Sequence, residues 1–200
     1  MTEPDYNLLD EGWIPVLLKD EGAERFGICD VFLRANDIAD LACELPTQNM
    51  AIQRVLEAIC YRVVPLEDKD DWKELWREGL PTDEILAYLE RWRDRFYLFG
   101  GRYPFMQGPD LQTSKGTVSG LEKIIADIPN GEPFFTVRHG RAVDCISPDE
   151  AALWLLHAQA YDPPGIRSGL VDDPQSQGGK SYPTGPAWCG QTAMVWLRGA

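Results

Sequence analysis

Histidine, cysteine pairs, long apolar runs and positive charge are all in short supply in this 200-residue chain. The two histidines stand near no pair of cysteines, and none of the five cysteines (Cys29, Cys43, Cys60, Cys145, Cys189) forms a C-x-x-C. That spacing argues against a ready-made zinc site and favours reduced thiols in a cytosolic core. No stretch of about 18 apolar residues occurs, so no transmembrane helix is expected. The opening Met-Thr-Glu-Pro-Asp lacks the basic and apolar regions of a secretion signal, and a cytoplasmic location is the expectation. Nineteen Lys/Arg face 32 Asp/Glu, a net charge of −13, which at first argues against nucleic acid as a partner. The imbalance is local. Residues 1–100 hold 11 Lys/Arg and 22 Asp/Glu (−11), and residues 101–200 hold 8 and 10 (−2). The second half therefore leaves room for a cationic loop, while the first suits solvent or a basic partner.

Two catalytic patterns are also incomplete. Gly178-Gly-Lys-Ser181 looks like the tail of a phosphate-binding loop, but Pro174 stands where the first glycine is required. Lys180 remains a candidate point contact for phosphate. Cys189 with His157 or His139 offers a thiol and a base, yet no acid that would orient either histidine stands out. No two carboxylates are marked as an acid–base pair.

What is present is a chain of ordinary globular composition, 44% apolar and 26% charged, long enough for one substantial core. Trp13–Leu18 and Phe26–Leu33 read as strands, with Pro15 marking an edge or a bulge. Asn36 is expected to cap a short helix to Cys43. Thr47 is expected to cap a longer helix with Ile52, Val55, Leu56, Ile59 and Val63 on one face, ended by Pro65. Glu67–Glu78 reads as a charged loop with a short helix, whose Trp72 and Trp76 are read as half-buried. Thr82 opens an amphipathic helix through Ile85, Leu89, Trp92 and Phe96, stopped by Gly100-Gly101. Ser119-Gly-Leu-Glu122 has a capping-box pattern. Pro133–Arg138 and Arg141–Ile146 read as a hairpin around His139-Gly140. Ser147-Pro-Asp-Glu150 is the best helix start, with serine as cap and proline at the first position. Asp162–Pro186, with five prolines and five glycines, reads as a long irregular loop, and Ala193–Arg198 as a strand. The fold class is mixed α/β (α+β), with short strands, amphipathic helices and long loops. The end so close behind a strand points to a fragment or an N-terminal domain.

Two segments suit nucleic acid. Phe134-Phe-Thr-Val-Arg-His139 with Arg141 interleaves aromatic and basic side chains, the first able to stack or wedge and the second to hold phosphate or enter a groove. Pro163-Pro-Gly-Ile-Arg-Ser-Gly169 carries glycines that permit close backbone approach. A solvated turn accounts equally well for the first, and ordinary turn formation for the second.

Several short blocks then occur in a recognisable order: Tyr6-Asn-Leu8, Trp13-Ile-Pro-Val16, Phe96-Tyr-Leu98, Tyr103-Pro-Phe-Met-Gln107, Phe134-Phe135 and Tyr161-Asp-Pro-Pro-Gly-Ile-Arg-Ser-Gly169. As an ordered set covering essentially the whole chain, they resemble CasA, the large-subunit family of the type I-E CRISPR surveillance complex, Cascade. The resemblance implies a non-enzymatic subunit; some relatives carry paired cysteines that suggest zinc, but this chain lacks those pairs, and no cofactor or metal is expected. The subunit would recognise the protospacer-adjacent motif (PAM) in double-stranded DNA, support unwinding, and help recruit the helicase-nuclease. Its implied partners are the other Cascade subunits, the guide RNA 5′ end, PAM-containing DNA and that helicase-nuclease, with no membrane involved. The family's recognition loop falls on Phe134, Phe135, Thr136, Arg138, His139 and Arg141. Its glycine loop falls on Pro164, Gly165 and Ile166, with Arg167 at a basic position and Lys180 nearby. Residues 1–200 would be a single N-terminal domain, without the helical bundle that ends family members. The prolines in the glycine loop depart from relatives richer in glycine. Trp13–Val16 and Tyr103–Gln107 are most economically core and turn residues. Two rival readings stand beside this one: a protein-interaction domain using Trp72 and Trp76 without touching DNA, and a hydrolase using Cys189 or the carboxylates.

Overall fold

The computed structural model describes residues 5–64, 66–113, 115–116, 118–128, 145–174 and 176–181. The chain divides into two compact units, Met1–Gln107 with Ser147–Leu153, and Gly108–Ile146 with Trp154–Ala200.

The first unit is built on a three-stranded antiparallel sheet, β1 (Ile14–Leu18), β2 (Ala23–Phe26) and β3 (Ile38–Leu41), in the order β2-β1-β3. Alternation of Ile14, Val16 and Leu18 inward with Leu17 outward gives β1 its buried face. Pro15 lies in the central strand rather than at an edge. It is tolerated because its carbonyl, and so its nitrogen, faces the side where β3 is leaving. There Ala42 N–H donates to Pro15 O (2.8 Å), beyond the end of β3, and no ladder donor is lost.

The expected second strand ends early. Gly27 breaks it, and Ile28–Leu33 turns into helix α1 with Ile28, Val31 and Phe32 buried at helical spacing. The first N–H groups of α1 find partners outside the helix: Ile28 donates to Leu8 O and Cys29 to Leu9 O, both at 3.0 Å. A Cβ on Gly27 would lie 2.4 Å from Leu9 O, so the contact requires glycine. The helix expected after Asn36 is instead β3. Sheet pairing with β1 supplies its backbone partners, and Lys19 N–H is held by Asp37 O (2.9 Å).

Helix α2 (Pro46–Val63) starts one residue before Thr47, with Leu45 in the capping position and proline at the first turn. The polar stitching comes from Asn49, which accepts from Cys43 N–H (2.9 Å) and donates to Leu41 O (3.1 Å). Gln48, Ala51, Ile52 and Ile59 form its buried face. Helix α3 (Lys69–Glu78) is a full ten-residue helix, because Asp68 and Asp71 make a reciprocal capping box. Helix α4 (Thr82–Arg91) buries Ile85 and Leu89 but stops well before Gly100. A one-turn 3-10 helix at Arg93–Arg95 follows. Phe96–Leu98 then pairs with the chain start: Leu8 N–H donates to Phe96 O and Leu98 N–H to Tyr6 O, both at 2.9 Å. Tertiary pairing thus overrides the helical stripe predicted through Trp92 and Phe96.

At the centre of this unit lies Trp13, fully buried, its indole N–H donating to Leu8 O (2.9 Å). Buried Asn7 accepts from Leu9 N–H (3.0 Å) and donates to Arg93 O (3.3 Å). The Trp13–Val16 block contributes Trp13, Ile14 and Val16 to the core, as expected, and Asn7 and Leu8, just before it in sequence, are also buried.

Helix α5 (Pro148–Tyr161) begins where Ser147 predicts, and its Arg25–Asp149 ion pair lies within the first unit. In the second unit, a one-turn 3-10 helix spans Leu121–Lys123, with no side-chain cap from Ser119. Ile125, Ile128, Trp154, Leu155 and Leu156 are buried. The region predicted as an irregular loop contains a small hairpin, β4 (Arg167–Ser168) with β5 (Lys180–Ser181). The predicted hairpin at 133–146 and the strand at 193–198 fall on or largely on residues outside the described set.

Candidate nucleic-acid interface

The glycine loop leaves the end of α5, where Asp162 N–H still donates to Ala158 O (2.9 Å). Pro163–Ile166 then carries the chain into β4. Pro164 is exposed, Gly165 half-buried, and Ile166 exposes 60% of its surface. Ile166 is therefore not a core residue.

Arg167 turns back along the loop. Its Nη2 donates to both carboxylate oxygens of Asp162 (3.0 and 2.9 Å) and to Pro163 O (3.2 Å). A Cβ on Gly165 would come within 3.1 Å of Arg167 Nη1, so the small residue leaves the guanidinium its place. Arg167 is therefore ion-paired, although nearly half its side chain is exposed.

The register of the hairpin decides how Lys180 relates to Arg167. Arg167 pairs with Ser181 and Ser168 with Lys180. Directly opposed residues share a face and successive ones alternate, so Arg167 and Lys180 occupy adjacent strands but opposite faces. Gly178 and Gly179, with φ of 57° and 72°, form the two-residue turn between Gln177 and Lys180. Positive φ at both positions is what such a hairpin needs, which explains a glycine pair without any phosphate-binding loop. Gly169 is required by packing: a Cβ there would meet the Gly179 carbonyl carbon at 2.8 Å. Ser176 Oγ accepts from Leu170 N–H (3.1 Å) and donates to Asp173 (3.0 Å), tying the loop beneath the hairpin. Pairing of Thr113 with Leu170 anchors it further. These serine and aspartate contacts carry no sequence period, and sequence reasoning passed over them.

Phe134, Phe135, Thr136, Arg138, His139 and Arg141 lie outside the described residues, as does Cys189. His157 lies within α5, packed against Trp154 and Tyr161 at ring-centroid distances of 5.5 and 5.3 Å. Burial pushes its pKa down. Burial likewise pushes the thiols of Cys29, Cys43 and Cys60 up, Cys43 to about 11, so these three are not poised as thiolates. Among the described residues, no three His, Cys, Asp or Glu side chains gather as a metal site would require. No helix there is long and apolar enough to cross a membrane.

Trp72 and Trp76 are not the half-buried pair predicted. Their rings stack on each other at 5.4 Å, exposing 49% and 77% of the two residues.

Residues 7–200 match the family described as CRISPR-associated protein Cse1. The chain belongs to that family. It is 33% identical to the CasA/Cse1 protein of Thermus thermophilus over 192 residues, covering 90% of this chain and 37% of that protein. Its structure is similar to the crystal structure of Thermobifida fusca Cse1, with a TM-score of 0.82 and 44% identity, over 94% of this chain and 36% of that one. A chain of a CRISPR RNA-guided surveillance complex shares the fold at a TM-score of 0.73 and 22% identity, over 84% of this chain and 36% of that one. This chain thus spans little more than a third of the length of these relatives. The mixed α/β architecture is that of the Cse1 structures.

Proposed function

We propose that this chain is part of a Cascade-type, RNA-guided DNA surveillance complex and reads the protospacer-adjacent motif in duplex DNA, catalysing no reaction itself. The observation that carries the reading is the Cse1-family match across residues 7–200. The exposed loop at Pro164–Arg167 supports it with a backbone that can approach a groove closely, an apolar tip and a cation. Arg138, Arg141 and Arg167 would hold phosphate or enter the groove, with Lys180 as a further phosphate contact. Phe134 or Phe135 would present the loop that includes Thr136 and His139, and Gly165 would allow the approach. Such a division leaves base pairing with the guide to read the target, while protein reads the short motif. The other Cascade subunits, the guide RNA 5′ end and the recruited helicase-nuclease are the remaining partners in this reading, in the cytoplasm. The test is binding of PAM-containing duplex by the reconstituted complex. Arg167→Ala and Phe134→Ala should each weaken it, and unchanged binding for both would overturn the site assignment.

The Trp72–Trp76 stack favours a second reading, a protein-docking role for α3. Two exposed, stacked indoles on a helix with four Asp/Glu and three Lys/Arg suit a partner segment that sets a cation on them. Loss of complex assembly in Trp76→Ala, with DNA binding by assembled complex unchanged, would place protein contact here.

A further inference from the structure

The first unit holds a second feature that the PAM loops do not use. Residues 1–90 carry 8 Lys/Arg and 21 Asp/Glu, a net −13, but residues 91–107 carry four arginines and one aspartate, a net +3. This reversal coincides with an open cleft of about 460 Å³, bounded by the end of α4, by Trp92 and Arg95, and by the Tyr103–Gln107 loop. The volume is in the range of small-ligand sites.

The cleft is built rather than incidental. Phe96 and Phe105 are buried and stacked at 5.6 Å beneath it. Phe105 N–H donates to Tyr97 O and Gln107 Nε2 to Leu98 O, both at 2.8 Å, and Met106 holds φ at 51°. The loop is thereby fixed while Trp92 and Tyr103 remain about 40% exposed. Arg95 lies with Cζ 3.9 Å from the Tyr103 ring centroid, and Arg102 lies 5.1 Å from the same ring. Unlike Arg25, Arg34, Arg93 and Arg167, neither has a carboxylate partner among the described residues. A guanidinium attracted to an aromatic ring stays charged, and the ring accepts none of its N–H bonds in the way a carboxylate would. An exposed indole beside such donors offers a π-face for a planar base and donors for the phosphate attached to it.

We infer that this cleft binds a nucleotide of a single-stranded nucleic acid, its base against Trp92 and its phosphate on Arg95 and Arg102. The site shares no residue with the loops proposed to read duplex DNA, and the Tyr103–Gln107 block becomes its frame rather than a bare turn. Charge separates this ligand from the alternative of a proline-rich peptide, which would use the aromatics but leave the arginines idle.

The test measures fluorescence anisotropy of labelled oligo-dT and oligo-rU of about a dozen nucleotides with the full 200-residue chain at low salt. Binding is expected, and Arg95→Glu and Trp92→Ala should each weaken it at least about fivefold without lowering the melting temperature. The dT and rU arms show whether a DNA strand or an RNA is preferred. Arg167→Ala should leave single-strand binding unchanged, which keeps this result independent of the PAM-loop assignment. Absence of binding to both oligonucleotides, or equal binding by parent, Arg95→Glu and Trp92→Ala, overturns the inference. So does a chemical-shift response at Trp92 to a proline-rich peptide alone.

Discussion

Asp162→Asn probes whether Arg167 touches DNA, because the carboxylate competes directly with phosphate for the same guanidinium. Arg167 is bound to both Asp162 oxygens at 3.0 and 2.9 Å, and the two side chains are 46% and 48% exposed. An ion pair that open is worth roughly 0.2–1 kcal/mol, so release of Arg167 gains at most about fivefold in affinity. Removing a negative charge beside the phosphate adds a further part at low ionic strength, which salt screens. The expected result is about three- to tenfold tighter binding of PAM duplex by the reconstituted complex in low salt. A newly made phosphate contact would also steepen the log–log salt dependence by about 0.9. The substitution is safe for the fold: Asp162 follows α5, where a negative charge opposes the helix dipole and asparagine is well tolerated. In an Arg167→Ala background, Asp162→Asn should keep only the screened charge effect and lose the change in slope. Equal affinity and slope for parent and Asp162→Asn would refute the argument that Arg167 is a held-back phosphate ligand.

Other substitutions test the architecture. Trp13→Phe removes the indole bond to Leu8 O and part of a fully buried ring, and should lower urea-unfolding stability by about 1–3 kcal/mol. Gly27→Ala drives a Cβ to 2.4 Å from Leu9 O and should cost at least about 2 kcal/mol in the same assay, well beyond a surface Gly→Ala change. Asp149 is pushed upward by partial burial, but hydrogen bonding to Ser147 and attraction to Arg25 outweigh this and hold its pKa below the ordinary 3.8. Its stabilisation is therefore complete above 3.8 and is lost as pH falls through the folded-state value, so Ser147→Ala should flatten the acid limb of thermal stability. It should also cost about 1 kcal/mol at neutral pH through the lost hydrogen bond to Asp149. The lowered pKa of His157 means the unfolded chain takes up its proton first. Stability should decline as pH falls below about 6.5, by no more than about 1.4 kcal/mol per pH unit, and His157→Gln should remove that slope.

The parts of the fold readable from sequence were those decided locally. Ser147-Pro148 with two following acids marks a helix start wherever it falls, and α5 begins there. The period of Ile52 and Ile59 and the stop before Pro65 likewise located α2. The misread elements are those whose partners lie far away in sequence. Ile28–Leu33 has strand-like composition, but carbonyls of Leu8 and Leu9 receive its first N–H groups and make a helix end possible. The helical stripe holds only for Ile85 and Leu89: α4 ends at Arg91, Trp92 is exposed, and pairing with Tyr6–Leu8 holds Phe96 outside the helix. At the candidate interface, the glycine loop was visible as composition. The Asp162–Arg167 clasp and the opposite faces of Arg167 and Lys180 follow from chain reversal and register, which no local motif encodes.

A count of charges answered the wrong question about nucleic acid. The net −13 describes the far field, whereas a phosphate meets individual arginines whose neighbours are already chosen. Arg25 is paired with Asp149, Arg34 with Glu24 and Asp37, and Arg93 with Asp10 and Glu90. These cations neutralise the acidic surface and hold the fold. Arg95 and Arg102 are set instead on the ring of Tyr103, which attracts a cation without spending its charge or occupying all its donors. Arg167 stands between the two cases, paired through an exposed carboxylate that a phosphate can displace at small cost. Under the proposed function, an acidic chain meets nucleic acid through individual guanidiniums placed by aromatic or exchangeable contacts. The surrounding carboxylates then disfavour indiscriminate binding along the rest of its surface.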